Sequence, residues 1–253
     1  MTGALIINAD DWGRNPMNTD RILDCVLRKT VSSVSAMVFM EDSERSAELA
    51  KKHGVDTGLH LNLTTPFSSS NVASRIAEQQ REISAYLRER RANQAIFNPR
   101  LATKFRSVVT AQLEEYERLY NRPPNRVDGH HHMHLSANVL FAGLLPSGTI
   151  ARRNFSFFPG EKSFANRAYR KAMDSVLSLR HTLTDFFFSL PPLEPQARLD
   201  RILSLSSAKF VEVETHPVSD DEYEFLTNGR AERWAAGLQI APGFLVANGT
   251  KAG

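Results

Sequence analysis

The sequence predicts an α/β fold in which parallel strands alternate with covering helices. Three observations carry this reading. Short apolar runs recur between stretches whose apolar residues have helical spacing. The alternation gives about seven strands, and βαβα order implies a parallel sheet flanked by helices. Strand after strand also ends in aspartate or histidine, and α/β folds place their chemistry at the carboxyl ends of strands. With 253 residues, one domain spanning 1–253 fits a closed or nearly closed barrel. A doubly wound open sheet is the alternative.

The elements follow in order. Ala4 to Asp11, ALIINADD, reads as a buried strand reaching a polar rim. A helix follows over NPMNTDRILDCVLRKT, with Asn18 as its expected cap. Val34–Met40 is the second strand, Glu41–His53 a helix, and Asp56–Leu63 the third strand. The polar stretch at about 66–100, from Pro66 to Pro99, is an insertion over one face, because it has too few apolar residues for a core of its own. Thr103–Tyr120 is a helix, stopped by NRPPN. The histidine-rich segment then reads as a strand. Further strands are expected at Ala151–Phe158, Thr182–Ser189, Lys209–Thr215 and Phe244–Ala247, and helices at Ala165–Leu179, Glu194–Leu205 and Asp220–Leu238.

Composition narrows the class. Apolar residues make up 42% and charged residues 23%, as in ordinary globular proteins. The formal charge is +3. The basic residues Arg81, Arg88, Arg90 and Arg91 alternate with Glu78, Glu82 and Glu89, which describes a solvated helix face and not a nucleic-acid stripe. The single cysteine, Cys25, lies on an apolar helix face and reads as a small buried hydrophobe. No run approaches the ~18 apolar residues of a membrane span. No secretory signal is recognisable, so cytoplasm is the expected compartment. A homodimer is left open.

Four segments carry the chemistry. Asp10 and Asp11 end the first strand. Neighbours on a strand point to opposite faces, so both serve one site only where the pleat breaks, and Gly13 lies nearby. One carboxylate would then fix a metal and leave the other to accept a proton; the competing reading is a turn or helix cap. His60, in GLHLNLT, would by itself read as a satisfied core residue sooner than as a ligand, and Asn62 shares its face. VDGHHHMHL holds four of the eight histidines. If extended, it puts Asp128, His130, His132 and His134 on one face. Such a row packs badly as core, because each ring needs partners for two nitrogens, and imidazole is the commonest metal ligand. One ion cannot use them all at ~3.3 Å per residue. The others would contact substrate or orient a ligand, as Asp128 would. His216 ends FVEVETHP and could donate a proton, or simply cap a loop. One carboxylate and two histidines make an open site for one divalent ion.

LIINADDWG, GLHLNLT, RVDGHHHMHL and VETHP, in that order between Ala4 and Pro217, resemble the YdjC-like carbohydrate deacetylases, a family that includes chito-oligosaccharide deacetylases. The resemblance implies a distorted TIM-like (β/α) barrel that removes an acetyl group from an N-acetylated sugar or oligosaccharide with one divalent ion, Zn or Mg. It implies Asp11, His60 and His130 as metal ligands, Asp10 as general base and His216 as general acid. Arg152 falls near a family arginine at the substrate pocket, and Arg153 is the alternative match. Trp12 stands where phenylalanine is usual, and RRNFSFFPGEKS is not typical of the chito-oligosaccharide enzymes. The FFPGEK loop and the 66–100 insertion are expected to shape the pocket. Two other readings compete: an amidohydrolase- or phosphoesterase-like hydrolase built on His132 and His134, and a non-catalytic sugar-binding barrel.

Overall fold

A computed structural model describes residues 3–158, 160–236, 241, 243 and 244. In chain order the strands are β1 (Ala4–Trp12), β2 (Ser33–Ala36), β3 (Thr57–Leu61), β4 (Arg126–Gly129), β5 (Ile150–Ala151), β6 (Phe186–Ser189) and β7 (Phe210–Thr215). The helices are α1 (Pro16–Leu27), α2 (Ser43–His53), α3 (Ser74–Glu89), α4 (Ala92–Ala95), α5 (Ala102–Tyr120), α6 (Ala137–Phe141), α7 (Phe164–Ser178), α8 (Gln196–Ser206), α9 (Asp220–Thr227) and α10 (Arg230–Trp234). All strand pairs are parallel, in the order β5-β4-β3-β2-β1-β7-β6. The sheet curls until its edges nearly meet. Ala151 donates to the Thr182 carbonyl at 3.0 Å, and Ser156 donates to the Phe187 carbonyl at 2.7 Å, so β5 and its continuation touch the β6 segment by isolated bonds. Among the described residues the result is a distorted barrel of seven strands, as expected.

Alternation along the strands sorts two layers. Leu5, Ile7, Ala9, Val34, Ala36, Leu59, Leu61, Val127, Val211 and Val213 join the main apolar core with the helices. The intervening residues face the barrel axis. At the amino end these are Ile6 and Phe210, clustered with Ile150, Ala241 and Phe244. Higher up they are polar: Asn8 and Asp10, Ser33 and Ser35, His60, Arg126 and Asp128, Glu212 and Glu214, all buried. The interior therefore changes from apolar to charged toward the carboxyl ends. Ile83 and Leu87 of α3, within the 66–100 stretch, pack into the main core. Cys25 is buried, and burial pushes its thiol up to about 12.

Several local expectations need correction. Asn15, not Asn18, caps α1: its side chain accepts from the Asn18 amide at 3.0 Å, and Pro16 occupies the first helical turn. The second strand ends at Ala36 instead of Met40. Of Ala151–Phe158 only Ala151 lies in the ladder, and the strand expected from Thr182 starts at Phe186. Gly229, at φ +84°, divides the last expected helix into α9 and α10; residues 237 and 238 lie outside the described residues. Of the expected strand Phe244–Ala247, Phe244 has helical backbone and the rest lies outside the described residues. The largest correction concerns the histidines. β4 stops at Gly129, and His130–Leu135 form a 3-10 turn in which His131 and His132 take left-handed backbone, φ 53° and 59°. Gly129 ends the extended backbone because His134 folds back over it: a Cβ there would lie 2.8 Å from the His134 amide nitrogen. The four-residue row on one face does not exist. Among the described residues, no helix is long and apolar enough to cross a membrane.

Gly58 shows how tightly the charged interior is packed. A Cβ there would meet Arg126 Nε at 2.5 Å. Arg126 cannot yield easily, because its guanidinium is bonded to Asn8 Oδ1, Ser33 Oγ and the Val34 carbonyl. Gly58→Ala is therefore expected to cost about 1–3 kcal/mol by overpacking and to lower Tm by several degrees in a thermal melt. An unaltered Tm would show that Arg126 is free to move aside.

Candidate metal and catalytic site

The site lies at the carboxyl ends of β1, β3, β4, β5 and β7. β1 supplies Asp10 and Asp11. The register with β2 slips between Ala9 and Trp12, and Asp11 has φ 69°. That left-handed residue breaks the pleat, so both carboxylates serve the same region. Gly13, at φ +83°, completes the turn, where a Cβ would sit 2.6 Å from Ser46 Oγ. β3 supplies His60, which pairs in register with Asp128 of β4; His60 Nδ1 lies 2.6 Å from Asp128 Oδ1. His130 enters from the 3-10 turn.

Asp11, His60 and His130 converge. Asp11 Oδ1 is 2.9 Å from His130 Nδ1 and 3.5 Å from His60 Nε2. All three residues are buried, and their ligand-type atoms lie within 4.8 Å of one another. Neither imidazole is aligned to hydrogen-bond Asp11 Oδ1, which has no partner; His130 Nε2 has none either. A buried carboxylate oxygen facing two ring nitrogens, unbonded, fits a divalent cation. Asp10, Asp128, Glu212 and Glu214 are buried around Arg152, whereas Asp11 stands apart from that cluster and meets only the half-exposed Arg14 and the two imidazoles. The group of Asp11, His60 and His130 can hold a metal ion. A second group, Asp10, His60 and Asp128, meets the same distance criterion, but its two carboxylates already face Arg152.

Arg152 organises the floor. Its Nη1 donates to Asp10 Oδ2 at 2.6 Å and its Nη2 to Asp10 Oδ1 at 2.7 Å. Nε donates to Glu212 at 2.7 Å and Nη1 to Glu214 at 3.3 Å, while Asp128 Oδ2 is 3.3 Å from Nη2. Asn8 adds a third bond to Asp10, at 2.8 Å. The guanidinium is buried beneath the carboxylates, so it orients Asp10 rather than lining an open pocket. Arg153 points elsewhere, to Asp174 and the Thr184 and Asp185 carbonyls.

These contacts set the protonation states. Burial opposes ionisation of Asp10, but Arg152 and then His60 outweigh it and hold the carboxyl below its ordinary range. Asp11 is likewise lowered against burial by His130 and His60, and Asp128 by Arg152 and His60. Burial disfavours a charged His60, yet Asp10 and Asp128 raise it to about 10 when no cation is bound. Burial, followed by the charge of Asp10, pushes Glu214 well up.

The remaining expected residues divide. His216 Nε2 is 4.0 Å from Asp10 Oδ2, half-buried, with its backbone held by Glu222 at 2.9 Å. His132 Nε2 lies 3.7 Å from Glu214, and its ring meets Phe155 edge-on at 4.6 Å. His134 is buried and bonds the Arg152 carbonyl at 2.8 Å, so it fixes the chain that carries Arg152. Neither His132 nor His134 belongs to a metal-competent group among the described residues. Asn62 is not at the site: its amide bonds Thr64 and Thr65 backbone and holds the turn after β3. Sequence reasoning missed Glu212, Glu214, Asn8 and Ser35, whose hydroxyl bonds Asp128. Their signal was present, since polar residues alternating along strands buried on both faces must face a polar interior. A cleft of about 430 Å³ opens beside His131 and His132, and Arg91, Gln94 and Phe155 help to line it.

Fold and site together define a parallel (β/α) barrel with a buried carboxylate–imidazole centre at its carboxyl rim. A family model described as YdjC-like protein matches residues 4–238, and the chain belongs to that family. It is 31% identical over 66% of its length to a carbohydrate deacetylase of Mus musculus, of which the match covers 54%. It is 28% identical over 55% of its length to a chitooligosaccharide deacetylase of Yersinia pestis (strain Pestoides F), covering 53% of that protein. The chain thus spans about half the length of these relatives. A solved structure from Enterococcus faecalis V583, named provisionally as a cellobiose-phosphate cleavage protein, superposes with a TM-score of 0.68 at 17% identity, over 95% of this chain and 97% of the other. That likeness concerns the fold.

Because His60 keeps a proton to about pH 10 without a cation, metal uptake near pH 7.5 is expected to displace it. Calorimetric zinc titration in buffers of different ionisation enthalpy should show about one proton released per ion, and the affinity should rise with pH. In the metal-free protein the stabilisation from protonated His60 is complete below its ordinary value of 6.5 and is lost as pH rises toward 10. Zinc binding without proton release would mean that His60 is already neutral.

Proposed function

We propose that the protein is a metal-dependent carbohydrate deacetylase that hydrolyses the acetamide of an N-acetylated sugar. The observation that carries the reading is the pairing of Asp11, His60 and His130 around one point with the separate carboxylate of Asp10 beside them. Membership of the YdjC-like family and the names of the two relatives support it. A non-catalytic sugar-binding barrel would have no use for a second, oriented carboxylate next to the centre.

Asp11, His60 and His130 would hold the divalent ion, and two imidazoles favour zinc over magnesium. Such an ion supplies Lewis acidity, polarising an acyl oxygen and lowering the pKa of water to ~7. The chain does the rest. Asp128 fixes the His60 ring through Nδ1 and leaves Nε2 facing the centre. Asp10 is kept ionised and oriented by Arg152, so it accepts the proton of the attacking water. His216, across from Asp10, delivers a proton to the departing sugar nitrogen. The half-exposed position of His216 lets it exchange that proton with solvent, whereas Asp10 is closed off below. The cytoplasm is the proposed compartment.

The roles separate by mutation. Asp10→Asn is expected to retain the metal by elemental analysis and to lose at least ~10²-fold in acetate release, the scale of a general base. His130→Ala should lose the metal as well as the activity. Full turnover by Asp10→Asn would remove Asp10 from the base role.

A further inference from the structure

We propose that a cleft between α7 and the chain after β5 is an anion site, separate from the carboxylate–imidazole centre, that takes the phosphoryl group of a small ring-bearing phosphate monoester. The inference stands apart from the deacetylase reading. The cleft has a volume of about 570 Å³, the size of a small-molecule site. None of its described lining residues belongs to the carboxylate–imidazole centre.

One helix face supplies the charge. Phe164, Arg167, Lys171 and Asp174 recur at helical spacing and all line the cleft, and Arg170 joins them from the edge of that face. Asp174, the one acid among the described lining residues, is already taken. Arg153 Nη2 donates to its Oδ2 at 2.9 Å, and the Asn154 backbone and side-chain amides both donate to its Oδ1 at 2.9 Å. Arg153 is equally committed, since its Nη1 donates to the Thr184 and Asp185 carbonyls. That pair closes the floor as a neutral unit and leaves three helix cations over.

Those three lack a counter-charge. Arg167, Arg170 and Lys171 make no ion pair among the described residues. Arg167 and Lys171 sit one turn apart, a spacing at which like charges repel. Arg170 Nε donates only to the neutral Asn166 Oδ1, at 2.9 Å. Burial pulls its guanidinium below the ordinary value, and Asp174 offsets this only in part. A cation so placed is stabilised by a bound anion. A guanidinium fork matches phosphate oxygens, and two further cations suit a dianion better than a single carboxylate. Ser156, across the cleft, adds a neutral donor: its Oγ accepts from the Phe187 amide at 3.1 Å, so the hydroxyl proton remains to be given.

The walls select the rest of the ligand. Phe157 and Phe186 line the same cleft, and Phe164 is 85% exposed on its helix face. Arg170 lies over the Phe157 ring at 5.1 Å, and Lys162 of the FFPGEK segment approaches it at 5.4 Å, so charge and aromatic surface adjoin. A ring joined to a phosphate, whether of a nucleoside or of a sugar, would pack on the aromatic wall while its phosphate met the cations. A bare anion would use the charge and leave the wall wet.

Calorimetric titration of the protein, with and without zinc, tests this with AMP and with glucose 6-phosphate, each beside its phosphate-free parent, adenosine or glucose. At least one monophosphate is expected to bind about tenfold tighter than its parent, the scale of one charge-assisted hydrogen bond, and that advantage should shrink as salt is raised. A larger advantage for AMP assigns the site to a nucleotide, and a larger one for glucose 6-phosphate to a sugar phosphate. The double variant Arg167→Glu with Lys171→Glu changes two exposed positions, where folding is not at issue, and should abolish the advantage; Arg170→Gln should reduce it. Equal affinity for phosphate and parent in both pairs overturns the site. An advantage that persists in the double variant, or that appears only with zinc, places the phosphate at the metal centre and overturns it as well.

Discussion

The constraint on which the site depends is the burial of one guanidinium among four carboxylates. Arg152 is sealed from solvent beneath Asp10, Asp128, Glu212 and Glu214. A buried charge survives only if it is paired and fully bonded. Removing Arg152 would take from four buried acids the cation they share, and removing an acid would leave part of the guanidinium unsatisfied. The partners come from β1, β4 and β7, and Arg152 itself follows β5. The same contacts that orient Asp10 therefore also tie distant strands together across the barrel axis.

Backbone distortion does the rest of the aiming. A regular strand cannot present Asp10 and Asp11 to one point, and a regular continuation of β4 could not fold His130 toward Asp11 while turning His132 to the cleft. The left-handed residues Asp11, His131 and His132 solve both problems. Non-glycine residues in that region cost of order 1–3 kcal/mol each. The strain is held by burial and by side-chain contacts: His131 bonds Thr64 at 2.9 Å, and His132 is wedged against Phe155. Among the described residues, three of the six non-glycine residues with positive φ, Asp11, His131 and His132, border the proposed site.

The same distortion explains what the sequence could convey. Barrel class, strand order along the chain and the strand-end placement of Asp10, Asp11, His60 and His216 were legible, because each depends on local periodicity and on where apolar runs end. The convergence of Asp11, His60 and His130 was legible only through the family resemblance. The histidine row was misread because period-two reasoning assumes extended backbone, and nothing local in HHHMHL announces consecutive left-handed residues. Asn62 was misassigned for a similar reason: sharing strand parity with His60 means little once the strand ends at Leu61. Glu212 and Glu214 were visible as alternating acids, but reading them as interior requires knowing that both faces of β7 are covered.

The different roles proposed for the adjacent aspartates rest on what lies behind each of them. Behind Asp10 is a full set of donors, two from Arg152 and one from Asn8. Those bonds satisfy the carboxylate without a metal and keep it ionised, as the proposed base role requires. Asp11 has only the half-exposed Arg14, on Oδ2 at 2.9 Å, and its Oδ1 is left to the two imidazoles. An oxygen so placed is stabilised best by a cation. Exchanging the two environments would exchange the two tasks, so the assignment of base and ligand follows from the partners of each carboxylate more than from its position in the chain.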